Sequence, residues 1–146
     1  MLRSIKVRDW MSRPAIQVTP ETSVSEAHRL MVELKIRRLP VMQGADLVGI
    51  VTIGDIREAE PSDATSLSVW EINSLWVRLT VCEIMTREVI TVGLDDSVFD
   101  AAQIMLEHRI GGLPVVGAVG NVVGILTESD IFRLVMRLHE EQLAAS

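Results

Sequence analysis

Two short stretches carry the residue types and spacing that could do chemistry: Thr52-Ile53-Gly54-Asp55 and Thr127-Glu128-Ser129-Asp130. Each Thr-x-x-Asp follows an apolar run, Leu47-Val48-Gly49-Ile50-Val51 or Val122-Val123-Gly124-Ile125-Leu126, and leads into an apolar helix start. A run of that length, rich in Val, Ile and Leu, reads as a buried strand. The Thr and Asp therefore sit where a strand hands over to a helix. A helix start carries unpaired N–H groups and the positive end of a dipole, which suits an anion. A carboxylate three residues on is a natural acceptor for two vicinal hydroxyls. Together they suggest a nucleotide, with ribose on the Asp and phosphate near the Thr. The same spacing also caps a helix. For one copy capping is the simpler reading. A second copy in the same context has to be explained as well.

The elements around these corners repeat. Val7-Arg8-Asp9-Trp10-Met11 lies beside Val81-Cys82-Glu83-Ile84-Met85, and Ala15-Ile16-Gln17-Val18-Thr19 beside Val89-Ile90-Thr91-Val92-Gly93. Thr22 to Ala27 matches Asp96 to Ala101, and Arg38-Leu39-Pro40-Val41 matches Gly112-Leu113-Pro114-Val115. The spacing is kept except for one extra residue near Gly117 to Asn121. Each copy reads as short helix, strand, helix, strand, strand, helix. The first helix spans about Val7 to Ser12 and is ended by Pro14. Ile16 and Val18 alternate with Gln17 and Thr19, as in a half-buried strand. Ser23-x-x-Glu26 forms a capping box ahead of Ala27, Leu30, Met31 and Leu34 at helical spacing, and Ala101, Ile104, Met105 and His108 repeat that stripe. Met31 and Met105 read as core. Leu39-Pro40-Val41 and Leu113-Pro114-Val115 are short strands with Pro near the start, joined by turns to the strands bearing Gly49 and Gly124. Between the copies, Glu60 to Ser66 is loop-like and Ser68-x-x-Glu71 opens a helix. Its face of Val69, Ile72, Leu75, Trp76 and Leu79, with Trp70 nearby, must pack on the body of the protein or on another chain. The organisation is thus repeat 1 at 7–60, a connecting loop and helix at 61–80, and repeat 2 at 81–139.

The bulk properties narrow the function. The chain has 146 residues, 48% of them hydrophobic, with a mean hydropathy of +0.30. That supports a substantial core. Only 3% are aromatic, so aliphatic side chains and Met must build it. A net charge of −6 argues against non-specific nucleic-acid or anionic-membrane binding. Cys82 stands alone, which excludes an internal disulfide and a cysteine zinc set, and reads as a buried inert thiol. The N-terminal residues lack a signal-peptide core, and no apolar run approaches the ~18–20 residues of a membrane span. A soluble cytoplasmic protein is expected.

With these residues in hand, the chain resembles a stand-alone pair of CBS domains, the cystathionine-β-synthase-like regulatory modules. The matching features are Met11 and Met85, the two Leu-Pro-Val strands, and Gly49 and Gly124 ahead of the two Thr-x-x-Asp corners. The match covers about Val7 to Arg137. The Ala64 to Ser68 helix also looks like that of single-module proteins of the acetoin-utilisation type. The resemblance implies an α+β fold of two pseudo-symmetric repeats. Each repeat has a small three-stranded sheet with helices on one face, and the repeats pack sheet to sheet to leave two clefts. It implies a homodimer and a cleft ligand that is AMP, ADP, ATP or S-adenosylmethionine. On that basis Thr52 and Asp55 serve one cleft, and Thr127 and Asp130 the other. Ala15, Ile16, Val89 and Ile90 would flank the adenine, since apolar side chains suit a planar base. Arg37 and Arg38, with His108 and Arg109, are the local positive charges for phosphate, or else a solvated surface. Gly111 and Gly112 replace Arg37 and Arg38 in the second copy, so the clefts should not be equivalent. Glu88, standing where the first copy has Pro14, would repel a triphosphate.

Other function classes find less support. There is no Walker loop, no Gly-x-Ser-x-Gly elbow, and no His-x-x-x-His or Cys-x-x-Cys pair. His28, His108 and His139 are scattered. Asp95-Asp96 reads as a helix cap, not a metal site. Catalysis and a required cofactor or metal are not expected. The expected function is a nucleotide-sensing module that signals to an unknown regulated protein on another chain. The alternative is a dimerisation scaffold without ligand binding. A third reading is magnesium binding on the acidic surface.

Overall fold

The computed structural model describes residues 4–13, 15–60 and 76–146. Pro14 and the connecting segment from Pro61 to Leu75, including Trp70 and the Ser68 capping box, lie outside the described residues. The chain divides into two compact units. One comprises the N-terminal residues up to Ala15 together with Ile90–Ser146, and the other is Ile16–Val89.

In the Ile16–Val89 unit, α2 (Val24–Leu34) starts at Ser23, whose hydroxyl accepts from Glu26 N–H at 3.1 Å. Only half of the expected capping box forms, because the Glu26 carboxylate turns to Arg29 instead. Arg29 holds that carboxyl below its ordinary value. Val24, Ala27 and Met31 bury one stripe of the helix. The helix ends at Lys35, which sits in the left-handed region at φ 55°. β1 (Arg38–Gln43) and β2 (Asp46–Thr52) form an antiparallel hairpin. Gly44, at φ 62°, supplies the positive φ that the tight turn needs. α3 (Ile53–Ala59) follows, and its C-cap Glu60 is extended, as a residue before Pro prefers to be. Leu39, Val41, Val51 and Ile56 are fully buried and centre the core, together with Met31. Each such side chain contributes about 1.5–3 kcal/mol on burial.

The expected third strand of this unit, Ala15 to Thr19, is reduced to a single parallel bridge between Val18 and Val41. The backbone bonds Val18 N to Pro40 O and Met42 N to Val18 O make that bridge. The sheet is therefore two-stranded. Cys82, expected to be buried in an apolar helix, lies half-exposed in a 3-10 turn at Val81–Glu83, its sulfur 3.3 Å from Thr80 Oγ1. Of the connecting helix, Trp76 and Leu79 pack against this core.

The other unit begins with α1 (Val7–Trp10), shorter than expected. β3 (Val92–Gly93) pairs in parallel with β4 (Gly112–Val116), and β4 pairs antiparallel with β5 (Val122–Thr127). α4 (Val98–His108) buries Val98, Ala101 and Met105, the same stripe as α2. It ends at Arg109, again left-handed at φ 54°. α5 (Glu128–Ala145) has 18 residues where α3 has 7. Val7, Leu113, Val115 and Leu126 are fully buried in this core. Asp95 and Asp96 do not cap α4, whose N-cap is Ser97. Asp96 accepts from Gly93 N–H, and Asp95 pairs with Arg8 and Lys6.

Both hairpins carry a proline inside a strand, and the pairing shows why it is tolerated. Pro40 faces Ile50, whose N–H and C=O are both taken up by Thr86 at 2.9 Å. Pro114 faces Ile125, whose N–H and C=O are both taken up by Ser12. The missing proline N–H falls where no ladder bond is made.

Candidate functional site

The strand-to-helix corners take the shape that their local chemistry favours. Thr52 closes β2 in an extended conformation, and Ile53 N–H donates to Arg37 O at 2.8 Å. Thr52 Oγ1 accepts from Asp55 N–H at 3.1 Å, and Asp55 Oδ2 accepts from Thr52 N–H at 2.8 Å. The capping reading of Thr-x-x-Asp is therefore realised here. It engages one carboxylate oxygen. No donor among the described residues reaches Asp55 Oδ1, and the residue is half-exposed. A carboxylate accepts at about four lone-pair positions, so this corner keeps acceptor capacity for two hydroxyls.

The second corner is closed. Asp130 Oδ2 accepts from Thr127 N–H at 2.8 Å and from the Thr127 hydroxyl at 3.2 Å. Its Oδ1 accepts from the Ser12 hydroxyl at 3.2 Å and from Arg133. The Asp130 side chain is 1% exposed. All four acceptor positions are filled from within the unit. Two corners alike in sequence thus differ in what they can still bind.

Each corner is bordered by the segment that follows the first helix of the other repeat. Thr86 bridges Ile50 beside Gly49, and Ser12 bridges Ile125 beside Gly124. The approach is so close that a Cβ on Gly49 would lie 3.0 Å from Thr86 O, and one on Gly124 2.8 Å from Ser12 O. The two glycines of the motif are there to admit this lead-in segment.

Arg38 lies half-buried opposite Thr52 in the β1–β2 register, and its counterpart Gly112 lies opposite Thr127. Arg37 is exposed and lines a hollow of about 440 Å³ with Lys35, Arg57 and Ile53. Arg109 lines the equivalent hollow of about 450 Å³ with Leu106, Glu128 and Phe132. Neither hollow is lined by Thr52, Asp55, Thr127 or Asp130. His108 is exposed at the end of α4. The Ala15-Ile16 and Val89-Ile90 pairs straddle the unit boundaries. Ile16 and Ile90 pack against the cores of their own units. Among the described residues no three His, Cys, Asp or Glu side chains cluster to hold a metal ion. None of the described helices is long and apolar enough to cross a membrane.

Sequence reasoning missed Ser12 and Arg133. A signal for Arg133 was present, because it stands three residues after Asp130 on the helix while Glu58 holds that place after Asp55. The Ser12 contact spans 118 positions of the chain and leaves no local trace.

Comparison with known proteins agrees with this architecture. The CBS domain family matches at residues 7–62 and 81–137. The chain is 38% identical over 133 residues to an inosine-5′-monophosphate dehydrogenase of Korarchaeum cryptofilum. The match covers 90% of this chain and 25% of that enzyme, so the chain spans about a quarter of that longer protein. Among solved structures, it is similar to the CBS domain pair of protein MJ0100 in complex with 5′-methylthioadenosine and S-adenosyl-L-methionine. There the TM-score is 0.74 at 35% identity, covering 89% of this chain and 94% of that one. It is also similar to CBSX2, known from Arabidopsis thaliana, in a complex with AMP. That match has a TM-score of 0.75 at 30% identity, with 92% and 98% coverage. A putative acetoin utilization protein from Vibrio cholerae matches at a TM-score of 0.78 and 31% identity, with 97% and 98% coverage. With both family matches falling on the two copies read from the sequence, and both Thr-x-x-Asp corners built, the chain belongs to the CBS domain family as a CBS pair.

Proposed function

We propose that this CBS pair is a regulatory module that binds an adenosine-type ligand at its Thr-x-x-Asp corners and relays occupancy to a partner protein. The observation that carries the reading is Asp55. Its carboxylate is fixed by one oxygen on the Thr52 amide, while the other oxygen has no donor among the described residues. A carboxylate held in this way is preorganised for a ribose diol. Arg38, whose backbone is in register with Thr52, would be a cation for a phosphate. The adenosine ligands of the MJ0100 and CBSX2 complexes support the ligand class. AMP, ADP, ATP and S-adenosylmethionine are the candidates. Occupancy shifts the balance between conformations of the pair, and a partner reads the shift.

A homodimer is part of the proposal. Leu106 on α4 and Phe132, Val135 and Met136 on α5 are large apolar side chains left more than half exposed. Phe132, Val135 and Met136 share one helical face, and a second copy would cover them.

A thermal-shift panel of adenosine, AMP, ADP, ATP and S-adenosylmethionine tests the reading. A ligand at 100 times its Kd stabilises by about 2.7 kcal/mol, which is about 5–10 °C for a chain of this size. Asp55→Ala should remove that shift. The scaffold reading is favoured at one place only, the filled Asp130 corner. If no ligand moves the midpoint, the scaffold reading takes over. Magnesium alone, run in the same panel, tests the third reading.

A further inference from the structure

We propose that Arg133 is an internal latch on the Asp130 corner. The two corners then take a ribose diol with unequal affinity, Asp55 directly and Asp130 only after the guanidinium has left. The inference rests on the nucleotide reading of these corners and adds an order of filling and the residue that sets it.

Asp130 already holds four donors, from Thr127 N–H, Thr127 Oγ1, Ser12 Oγ and Arg133. A vicinal diol brings two more donors and finds no lone pair free. Three of the four existing partners belong to the backbone or to short side chains held in place by it. The Thr127 amide is the helix cap, and Ser12 is pinned by two backbone bonds to Ile125 at 2.9 and 3.0 Å. Arg133 differs from them. It hangs on a long flexible stem one helical turn on, and its side chain is 61% exposed. It can swing into water without disturbing the fold, so it is the partner that a diol would displace. One hydroxyl takes the position it leaves on Oδ1, and the other takes the position released when the Thr127 hydroxyl, 3.2 Å away, rotates off Oδ2. While in place it occupies the acceptor with a charge-assisted bond, the strong kind.

The first copy lacks this device. The residue one turn after Asp55 is Glu58, an exposed acid that cannot donate to a carboxylate. Thr86, which stands where the second corner has Ser12, makes no bond to Asp55. The two corners therefore share a ligand-binding carboxylate and differ in whether the protein supplies its own ligand. Arg133 holds the second site in reserve at low ligand concentration.

Binding stoichiometry by calorimetry, with adenosine and AMP in parallel, tests the latch. Wild type should bind one equivalent in the concentration range where Arg133→Ala binds two. The second equivalent should tighten at least tenfold in that variant. Asp55→Ala should abolish the wild-type equivalent and leave Arg133→Ala/Asp55→Ala with one. The reciprocal variant Glu58→Arg, at an exposed position that leaves the core untouched, should weaken binding at the Asp55 corner at least tenfold by installing the latch there. Two equal equivalents in wild type would overturn the latch, as would an unchanged single equivalent or weaker binding in Arg133→Ala. In each of those cases the nucleotide reading survives. Absence of binding of either compound to wild type and to every variant removes both.

Discussion

Replacing Gly124 by Ala should loosen the segment that delivers Ser12 to the Asp130 corner, and the structure sets the size of the effect. A Cβ at Gly124 would lie 2.7 Å from Met11 Sδ and 2.8 Å from Ser12 O. The thioether can rotate away. The carbonyl cannot, because it accepts from Ile125 N–H at 3.0 Å. Restoring ordinary contact at 3.4 Å moves that carbonyl by roughly 0.6 Å, enough to stretch the bond toward the edge of hydrogen-bond range. Losing one such bond costs about 0.5–1.5 kcal/mol, and overpacking costs about 1–3 kcal/mol. The stiffer unfolded chain returns about 0.4–1 kcal/mol. The net destabilisation is about 2 kcal/mol. Gly54→Ala is the control, since its Cβ would meet only Thr52 Oγ1 at 3.5 Å. There Ala in the first turn of α3 should be neutral or stabilising by up to about 1 kcal/mol. Urea unfolding followed by circular dichroism reads both. The reasoning fails if Gly124→Ala unfolds at the wild-type midpoint, or if the two variants lose stability equally.

Three further outcomes are expected. Asp130→Ala removes a cap worth about 1 kcal/mol and also strips a buried cluster of its common acceptor, at about 1–3 kcal/mol. It should therefore cost about 2–4 kcal/mol where Asp55→Ala costs about 1, and equal losses in chemical denaturation would contradict the difference between the corners. Lys35→Gly should stabilise by about 1 kcal/mol, because a non-glycine residue in the left-handed region is strained, and a lowered midpoint would show that the Lys35 stem packs more than the backbone suffers. Asp95, held below the ordinary carboxylate value first by its hydrogen bonds from Arg8 and then by the Arg8 and Lys6 charges, contributes stability that is present at neutral pH. That contribution is lost as pH falls through the lowered folded value. Wild type and Asp95→Asn should thus differ slightly at pH 7 and converge in acid, and a gap that widens below about pH 4 would reverse the sign.

Local pattern alone determined much of this molecule. The α2 stripe of Ala27, Leu30 and Met31 and the Leu-Pro-Val strands were legible because secondary structure imposes its period on burial, although Leu34, read into the same stripe, is left exposed. The two Thr-x-x-Asp corners were legible because their signal lies within four residues, and the duplication because the matched stretches keep their order and spacing along the chain. Folding decided the rest. The segment from Ala15 to Thr19 reads as a strand, yet only Val18 is bridged, to Val41, because strand length depends on a neighbour that periodicity does not see. Gly49 and Gly124 read as strand glycines, and only the fold shows the segments that cross them. Most of all, the carboxylates of Asp55 and Asp130 read alike. One keeps an oxygen to offer and the other is enclosed by Ser12 and Arg133. That difference arises from a contact made across 118 residues and from the choice of Glu or Arg one helical turn on. The acceptor chemistry of each corner was written in the residues themselves, while its accessibility was set by which donors the folded chain brought to each acid.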